Sequence, residues 1–547
     1  MTVREAGDYN PVETEKKILE YWRENEVMEE TLRDGGDCYS FLEGPPTANA
    51  PPALHHVEVR VFKDLVNRYH YMRGQSVPRK AGWDCHGLPV EVQVEKKLSL
   101  KSKKDVEEYG VDRFVEECRK SVFTHIKEWD RLTNRMAYWI DLKDPYVTMD
   151  NDYIESVWWS LKKMWDKNLL YLGARVVPYC PRCGTPLSSH EVAQGYKSIK
   201  EETVIVSFPV KDGDYSLLAW TTTPWTLLSN VALAVNPEVT YAKIKYQGME
   251  YVLAKTLAQE RFPEADILEE VKGEKLAGLE YYPLFNHFTG KLEKPAWRVI
   301  AGDFVTTEDG TGIVHIAPAF GEDDYNVGVE NNLPLINPID EEGKFTKEIP
   351  ELEGVFAKDA DAKIIQLIGE MDRLIAQYPY THDYPYCWRC STPLLYYAMN
   401  SWFIKVTEVV EKLLEKNSEI SWYPGHIKEG RFGKWLENAR DWSLSRNRFW
   451  GTPLPIWECE CGEKKAVGSR KELADEAEGD VDEGIDLHRP YVDEVKLKCS
   501  CGKQMRRVPY VIDCWYDSGA ATFAQFHYPF ENKDLFKKRF PYDFISE

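Results

Sequence analysis

Eight of the twelve cysteines in this 547-residue chain fall into four close pairs, and thiolates so spaced are the residues best suited to hold a soft divalent metal. Cys180-Pro-Arg-Cys183-Gly and Cys387-Trp-Arg-Cys390 have the two-residue spacing that lets both sulfurs of a tight turn reach one tetrahedral ion, so together they predict a four-thiolate zinc site. Cys459-Glu-Cys461-Gly and Cys499-Ser-Cys501-Gly have a less usual one-residue spacing. The glycine after each pair permits a turn that points amides at the sulfurs, so they predict a second zinc site. For the first set the bland alternative is two unrelated core or redox pairs. Disulfides are disfavoured, because disulfide scaffolds belong mainly to small secreted domains.

A second constellation lies near the N-terminus. The apolar, aromatic run 38–42 predicts a strand, and Gly44-Pro45-Pro46-Thr47-Ala48-Asn49-Ala50-Pro51-Pro52 after it is too proline-rich for regular structure. A helix is predicted next, with Pro52 in its first turn and Leu54, Val57, Val61, Leu65 and Tyr69 at helical spacing. His55 and His56 then stand at a helix N-terminus, where free amides and the helix dipole favour an anion such as a nucleotide phosphate. Taken alone, two such histidines are more often capping or surface residues. No Walker loop or Gly-x-Gly-x-x-Gly follows a strand, so a bound nucleotide needs a different cradle.

The elements that must position these residues are partly legible. Residues 11–32 read as an amphipathic helix, and 104–170 as helical throughout. Between about 200 and 375, short β-rich runs alternate with Gly, Asp and Pro, which predicts a mainly β unit. Two distant cysteine pairs frame it, as expected of an insertion whose ends meet. The acidic stretch 472–486 reads as a solvated loop or helix. Length alone, at ~150 residues per domain, suggests three or four units. The 69 Lys+Arg against 90 Asp+Glu give a net charge of −21, which disfavours indiscriminate nucleic-acid binding but allows a local basic face. No run of eighteen apolar residues and no export-type N-terminus is present, so a cytoplasmic protein without membrane contact is expected.

Several runs resemble the isoleucyl-tRNA synthetase family of class I aminoacyl-tRNA synthetases, over essentially the whole chain. They are Gly44-Pro-Pro-Thr-Ala-Asn49, Gly82-Trp-Asp84-Cys-His-Gly87-Leu-Pro-Val-Glu91, Trp220-Thr-Thr-Thr-Pro-Trp-Thr226, Gly310-Thr-Gly-Ile-Val-His315 through Asp324, Arg440-Asp-Trp through Trp450-Gly, and Asp513-Cys-Trp515-Tyr-Asp-Ser-Gly519. The valyl and leucyl relatives usually carry Thr-Thr-Arg-Pro where this chain has Thr-Thr-Thr-Pro.

The resemblance implies an α/β fold: a Rossmann-type nucleotide-binding domain interrupted by a β-barrel-like editing domain, with zinc-binding peripheral modules. The implied boundaries are 1–185 for the N-terminal helix and first catalytic half, 186–385 for the editing insert, and 386–547 for the return to the catalytic domain. The implied activity is ATP-dependent activation of isoleucine, with Mg, transfer to tRNA(Ile), and hydrolysis of mischarged valyl-tRNA(Ile), by a monomer carrying two zinc ions. Asp84 would hold the substrate ammonium, Pro46 and Trp515 would line the side-chain pocket, and Glu547 would stand near the adenylate. Gly44, Pro45, Thr47, Asn49 and His56 would meet the nucleotide. Thr221, Thr222, Thr223, Trp225, His315 and Asp324 would form the editing site, with Asp324 holding the ammonium of the mischarged amino acid.

Two departures qualify the resemblance. The family's His-x-Gly-His signature reads Ala53-Leu54-His55-His56, with only His56 in register and His55 about 100° round the helix from it. This is similar to a subtype associated with mupirocin resistance, but with Ala53 where that subtype has Gly. No counterpart of the Lys-Met-Ser-Lys-Ser loop occurs, so the chain is expected to be a truncated piece that makes little adenylate on its own. The alternatives are a valyl-tRNA synthetase, an editing-only or RNA-binding fragment, and a purely structural zinc protein.

Overall fold

A computed structural model describes residues 9–33 and 36–546. The chain forms two compact units, Met1–Tyr171 with Trp402–Glu547, and Leu172–Ser401. Two units rather than three or four arise because the chain returns to the first after building the second, so one core draws on both ends of the sequence.

In the first unit, the helix Pro11–Glu24 is started by Asn10, whose side chain accepts from the Glu13 amide at 3.3 Å, and by proline in its first turn. The single helix expected over 11–32 is interrupted. Glu26 adopts a left-handed φ of 49°, and a short helix, Val27–Thr31, resumes beyond it. The strand Phe41–Glu43 begins three residues later than predicted and pairs in parallel with Phe544–Ser546. The helix Leu54–Met72 takes Ala53 as its N-cap, so Pro52 lies before the helix rather than in its first turn.

The region 104–170 is not helical throughout. Helices Lys103–Tyr109, Val111–Ser121, Ile126–Arg135 and Asn151–Asp166 enclose a strand, Asp141–Val147, paired in parallel with Lys80–Trp83. Its Asp, Lys and Pro residues carry little strand propensity, and the partner strand imposes the conformation. Gly82 makes the pairing possible, because a Cβ there would stand 2.0 Å from the Tyr146 ring. Buried Trp83, Phe114, Trp129, Phe449 and Trp450 form the core beneath the proline-rich loop. Buried Trp402, Leu444, Leu454 and Ile456 pack with Tyr153 and Val157 of the Asn151–Asp166 helix.

The second unit is mainly β, as its texture predicts. One six-stranded sheet runs in the order Asp266–Lys272, Thr240–Tyr246, Met249–Ala254, Ser216–Thr221, Tyr196–Pro209, Leu374–Pro385. A three-stranded sheet places Ala232–Val235 between Arg298–Ala301 and Ile313–Ile316. Val204, Val206, Phe208, Leu217, Leu233 and Val235 fill the core, with the helix Asp361–Glu370 contributing Ile364, Ile365 and Ile368. No helix among the described residues is long and apolar enough to cross a membrane.

Candidate functional site

The proline-rich loop is fixed by its backbone. Gly44 N–H donates to the Ser546 carbonyl (3.0 Å), the Ala48 carbonyl accepts from His125 N–H (3.0 Å), and the Ala50 carbonyl from the Trp129 indole (2.9 Å). Asn49 is buried and donates to the Pro89 carbonyl at 3.1 Å, so its side chain braces the loop. Pro45 and Thr47 are half-buried on the same loop. At the helix start, the His56 ring accepts the Ala53 N–H through Nδ1 at 2.8 Å, which leaves Nε2 as the protonated nitrogen of the neutral ring. Burial, then the charges of His55, Arg60 and Lys63, hold His56 below the usual imidazole range. His55 is exposed and its ring centroid lies 3.9 Å from that of His56. Beneath them a buried ion pair, Lys63 Nζ to Glu43 Oε2 at 3.3 Å, ties the helix to the first strand, with Tyr138 Oη donating to the same oxygen at 2.7 Å.

The Lys80–Trp83 strand delivers Asp84 beside this loop, where its N–H donates to the Pro46 carbonyl at 3.0 Å. Asp84 Oδ2 accepts from Ser518 Oγ at 2.8 Å, while Oδ1 is sealed from solvent without a partner. Burial raises this carboxyl to about 7, against the Ser518 hydrogen bond. Ser518 and half-exposed Trp515 share the short helix Cys514–Gly519, capped by Asp513, which accepts from Trp515 N–H at 3.2 Å and pairs with buried Arg446 at 2.6 Å. Pro46, Asp84 and Trp515 are therefore carried on elements joined by hydrogen bonds. Glu547 lies outside the described residues.

In the second unit, the strand Ser216–Thr221 leads through Thr222 into a 3-10 turn, Pro224–Ser229. Thr223 N–H donates to Thr221 Oγ1 (3.0 Å), the hydroxyls of Thr221 and Thr223 are 3.2 Å apart, and Thr223 Oγ1 is 3.2 Å from Thr226 Oγ1. Thr226 Oγ1 donates to the Thr223 carbonyl (2.8 Å) and lies 2.9 Å from His315 Nε2. Buried His315 is held at about 4 by desolvation, hence neutral, and its Nδ1 is sealed without a partner. Two residues on, Ala317 N–H donates to Asp324 Oδ2 at 2.8 Å, and burial raises that carboxyl to about 6. Trp225 is buried, its N–H donating to Asp361 Oδ1 at 2.8 Å.

Both cysteine sets converge. In each, one sulfur per residue lies within 4.8 Å of the other three. Cys390 Sγ is 3.5 Å from Cys180 Sγ and 3.7 Å from Cys183 Sγ, with Cys387 in the same group. In the second set, Cys459 and Cys501 are 3.6 Å apart and Cys461 and Cys499 3.5 Å. Sulfurs 2.3 Å from a tetrahedral zinc stand ~3.8 Å apart, whereas a disulfide needs ~2.05 Å. The donor sets fit zinc. A third group, Asp152, Glu155 and His527, already holds a cation, since Arg470 bonds Asp152 at 2.5 Å and Glu155 at 2.8 Å.

Sequence reasoning missed Ser518, Thr226 and Asp361. The first two stand inside recognised runs beside residues that were singled out; Asp361 reaches Trp225 across 136 residues and carries no local signal. It also missed the pairing of His86 with His488, where Asp486, expected to be solvated, meets His488 Nδ1 at 2.6 Å and Arg119 at 2.6 Å.

The family model described as tRNA synthetases class I (I, L, M and V) matches residues 17–547, and the chain belongs to that family. Within it, the chain is 53% identical over 540 residues to an isoleucine–tRNA ligase of Clostridium acetobutylicum, covering 98% of this chain and 52% of that protein. It is 50% identical over 554 residues to an isoleucine–tRNA ligase of Thermus thermophilus, covering all of this chain and 52% of that protein. The chain thus spans about half the length of the curated relatives it matches. A ternary complex of Agrobacterium radiobacter K84 LeuRS with tRNA and LeuAMS aligns with a TM-score of 0.36 and 16% identity, over 92% of this chain and 58% of that one.

Proposed function

We propose that this chain carries the isoleucine-binding and editing parts of an isoleucine–tRNA ligase, which activates isoleucine with ATP and Mg and transfers it to tRNA(Ile). The observation that carries the reading is the sealed, unpartnered Oδ1 of Asp84 beside Ser518 and Trp515. A buried carboxylate oxygen without a donor is costly unless a ligand supplies one, and an α-ammonium does so with charge. Pro46 and Trp515 give the pocket its apolar wall. The neutral His56 offers Nε2–H at the start of the Leu54–Met72 helix to a phosphate, with Gly44, Pro45, Thr47 and Asn49 shaping the loop. His55, exposed and with its ring tilted against that of His56, is the residue to which we assign weaker mupirocin binding.

The Leu172–Ser401 unit, which encloses the expected insert 186–385, is proposed as the editing domain. One missing methylene is worth only ~1–3 kcal/mol in an apolar pocket, a general figure measured on this discrimination itself rather than obtained from this chain. A second, hydrolytic site therefore improves fidelity. Asp324 would hold the ammonium of the mischarged valine, Thr221, Thr222 and Thr223 would position the terminal adenosine, and neutral His315 would orient Thr226. Zinc held by Cys180, Cys183, Cys387 and Cys390, and by Cys459, Cys461, Cys499 and Cys501, would serve structure. The valyl reading is not favoured, since the similar proteins are isoleucine–tRNA ligases.

Calorimetric titration of this chain with isoleucine and valine tests the proposal. Isoleucine should bind about 10–200-fold more tightly than valine, and Asp84→Asn should abolish binding of both; equal affinities, or unaltered binding by the variant, would refute it. Hydrolysis of valyl-tRNA(Ile) by the same chain, lost in Asp324→Ala, supports the editing assignment.

A further inference from the structure

Behind Asp84 lies a buried chain of ionisable groups that neither pocket uses directly. His86 Nδ1 is 2.8 Å from Asp517 Oδ2, His86 Nε2 is 2.9 Å from His488 Nε2, and His488 Nδ1 is 2.6 Å from Asp486 Oδ1. His86, Asp517 and His488 are essentially closed to solvent. Trp450 stacks on His488 with centroids 4.8 Å apart and meets the His86 ring edge-on.

The geometry points to a single proton shared by His86 and His488, whose positive charge holds Asp84 ionised for the substrate ammonium; this rests on the amino-acid reading of Asp84. Each Nδ1 faces a carboxylate oxygen, which only accepts, at 2.8 Å for His86 and 2.6 Å for His488, so both Nδ1 atoms carry hydrogens; Arg119 Nη2, 3.3 Å from His488 Nδ1, makes its short bond to Asp486 Oδ2 at 2.6 Å instead. The 2.9 Å contact between the two Nε2 atoms needs one hydrogen, because two lone pairs at that distance repel. Three hydrogens on two imidazoles make one cation. Asp486 and Arg119 leave no net charge at the outer end, so the cation balances Asp517 and adds its field at Asp84.

Burial, with the field of His86 and Arg119, holds His488 at about 4 despite Asp486, so His488 is the accepting ring of the pair. At Asp84, burial and Asp517 favour the protonated acid, while His86 and Ser518 favour the carboxylate. The other ionisable groups facing the pair are Asp150 at the start of the Asn151–Asp166 helix, Cys85, and Tyr153, whose hydroxyl donates to the Asp517 carbonyl at 2.5 Å. Burial keeps the thiol and the phenol neutral, so neither adds a negative charge beside the pair. His86 and His488 are thus positioning residues that act through Asp84.

Isoleucine titrations of the chain between pH 5.5 and 9 test the role. Removing the cation by His86→Gln, or its acceptor by His488→Leu, should move the acidic limb of binding up by about one pH unit, so that affinity falls about tenfold near pH 6.5 and recovers by pH 9. His488→Gln, whose side-chain oxygen can accept from His86, should restore the original limb. A purely structural role predicts equal loss at every pH without rescue, which would overturn the inference. Nitrogen-15 spectra of the histidine-labelled, unmodified chain test the proton count without substrate: a coupling between two imidazole nitrogens across a hydrogen bond is expected, and its absence would overturn the shared proton. If the unmodified chain binds no isoleucine at any pH, the amino-acid reading and the tuning role fall together, while the nitrogen spectrum still decides the proton count.

Discussion

At the scale of single residues, buried charge separates the informative positions from the rest. Lys63 and Glu43 sit almost fully buried, and truncating one partner strands the other. Lys63→Met should destabilise the first unit by about 3–5 kcal/mol, and adding Glu43→Gln should recover most of the loss, as read from its thermal transition. Asp324 gives a pH signature in the other unit. Burial raises it to about 6, and only its ionised form can hold an ammonium, so binding capacity is gained as pH climbs through that value. The valyl-tRNA deacylation ratio of the unmodified chain to Asp324→Asn should therefore rise up to tenfold per pH unit below about 6 and level above it. Asp84, His56 and the threonine run were legible because their motifs are local. The His86–His488 contact spans 402 residues, and Asp486 looked like one acid among many, so spacing gave no hint of it.

At the scale of elements, the strands of the second unit were legible from short β-branched runs, and the helix after the proline-rich loop from its apolar spacing. The strand Asp141–Val147 was not, because its residues favour turns and only the parallel partner makes it extended. The break at Glu26 was equally hidden, since the flanking residues keep helical texture. A glycine of ordinary appearance sets the geometry near the first cysteine set. A Cβ on Gly195 would meet the Tyr386 carbonyl oxygen at 1.9 Å, a backbone atom that cannot turn aside, and Tyr386 precedes Cys387. Gly195→Ala should displace that strand end, cost about 1–3 kcal/mol, and weaken zinc retention against a chelator at least tenfold, measured by metal release.

At the scale of the whole molecule, length pointed to several units, and the sequence pattern separated a β-rich region from a mixed one. It did not show that residues from both ends complete one unit, because pairings such as Phe41 with Phe544 join segments hundreds of residues apart. The converging sulfurs have a consequence for handling. Cys180 and Cys390 are 210 positions apart yet their sulfurs are separated by 3.5 Å, a movement of ~1.5 Å from bonding. Stripped of metal and exposed to oxidant, the chain should close a covalent loop there, seen as faster migration on non-reducing gels and a mass lower by two hydrogens per bridge, whereas zinc-loaded protein should resist. The ion would then act as a guard against ageing in air as much as a clamp.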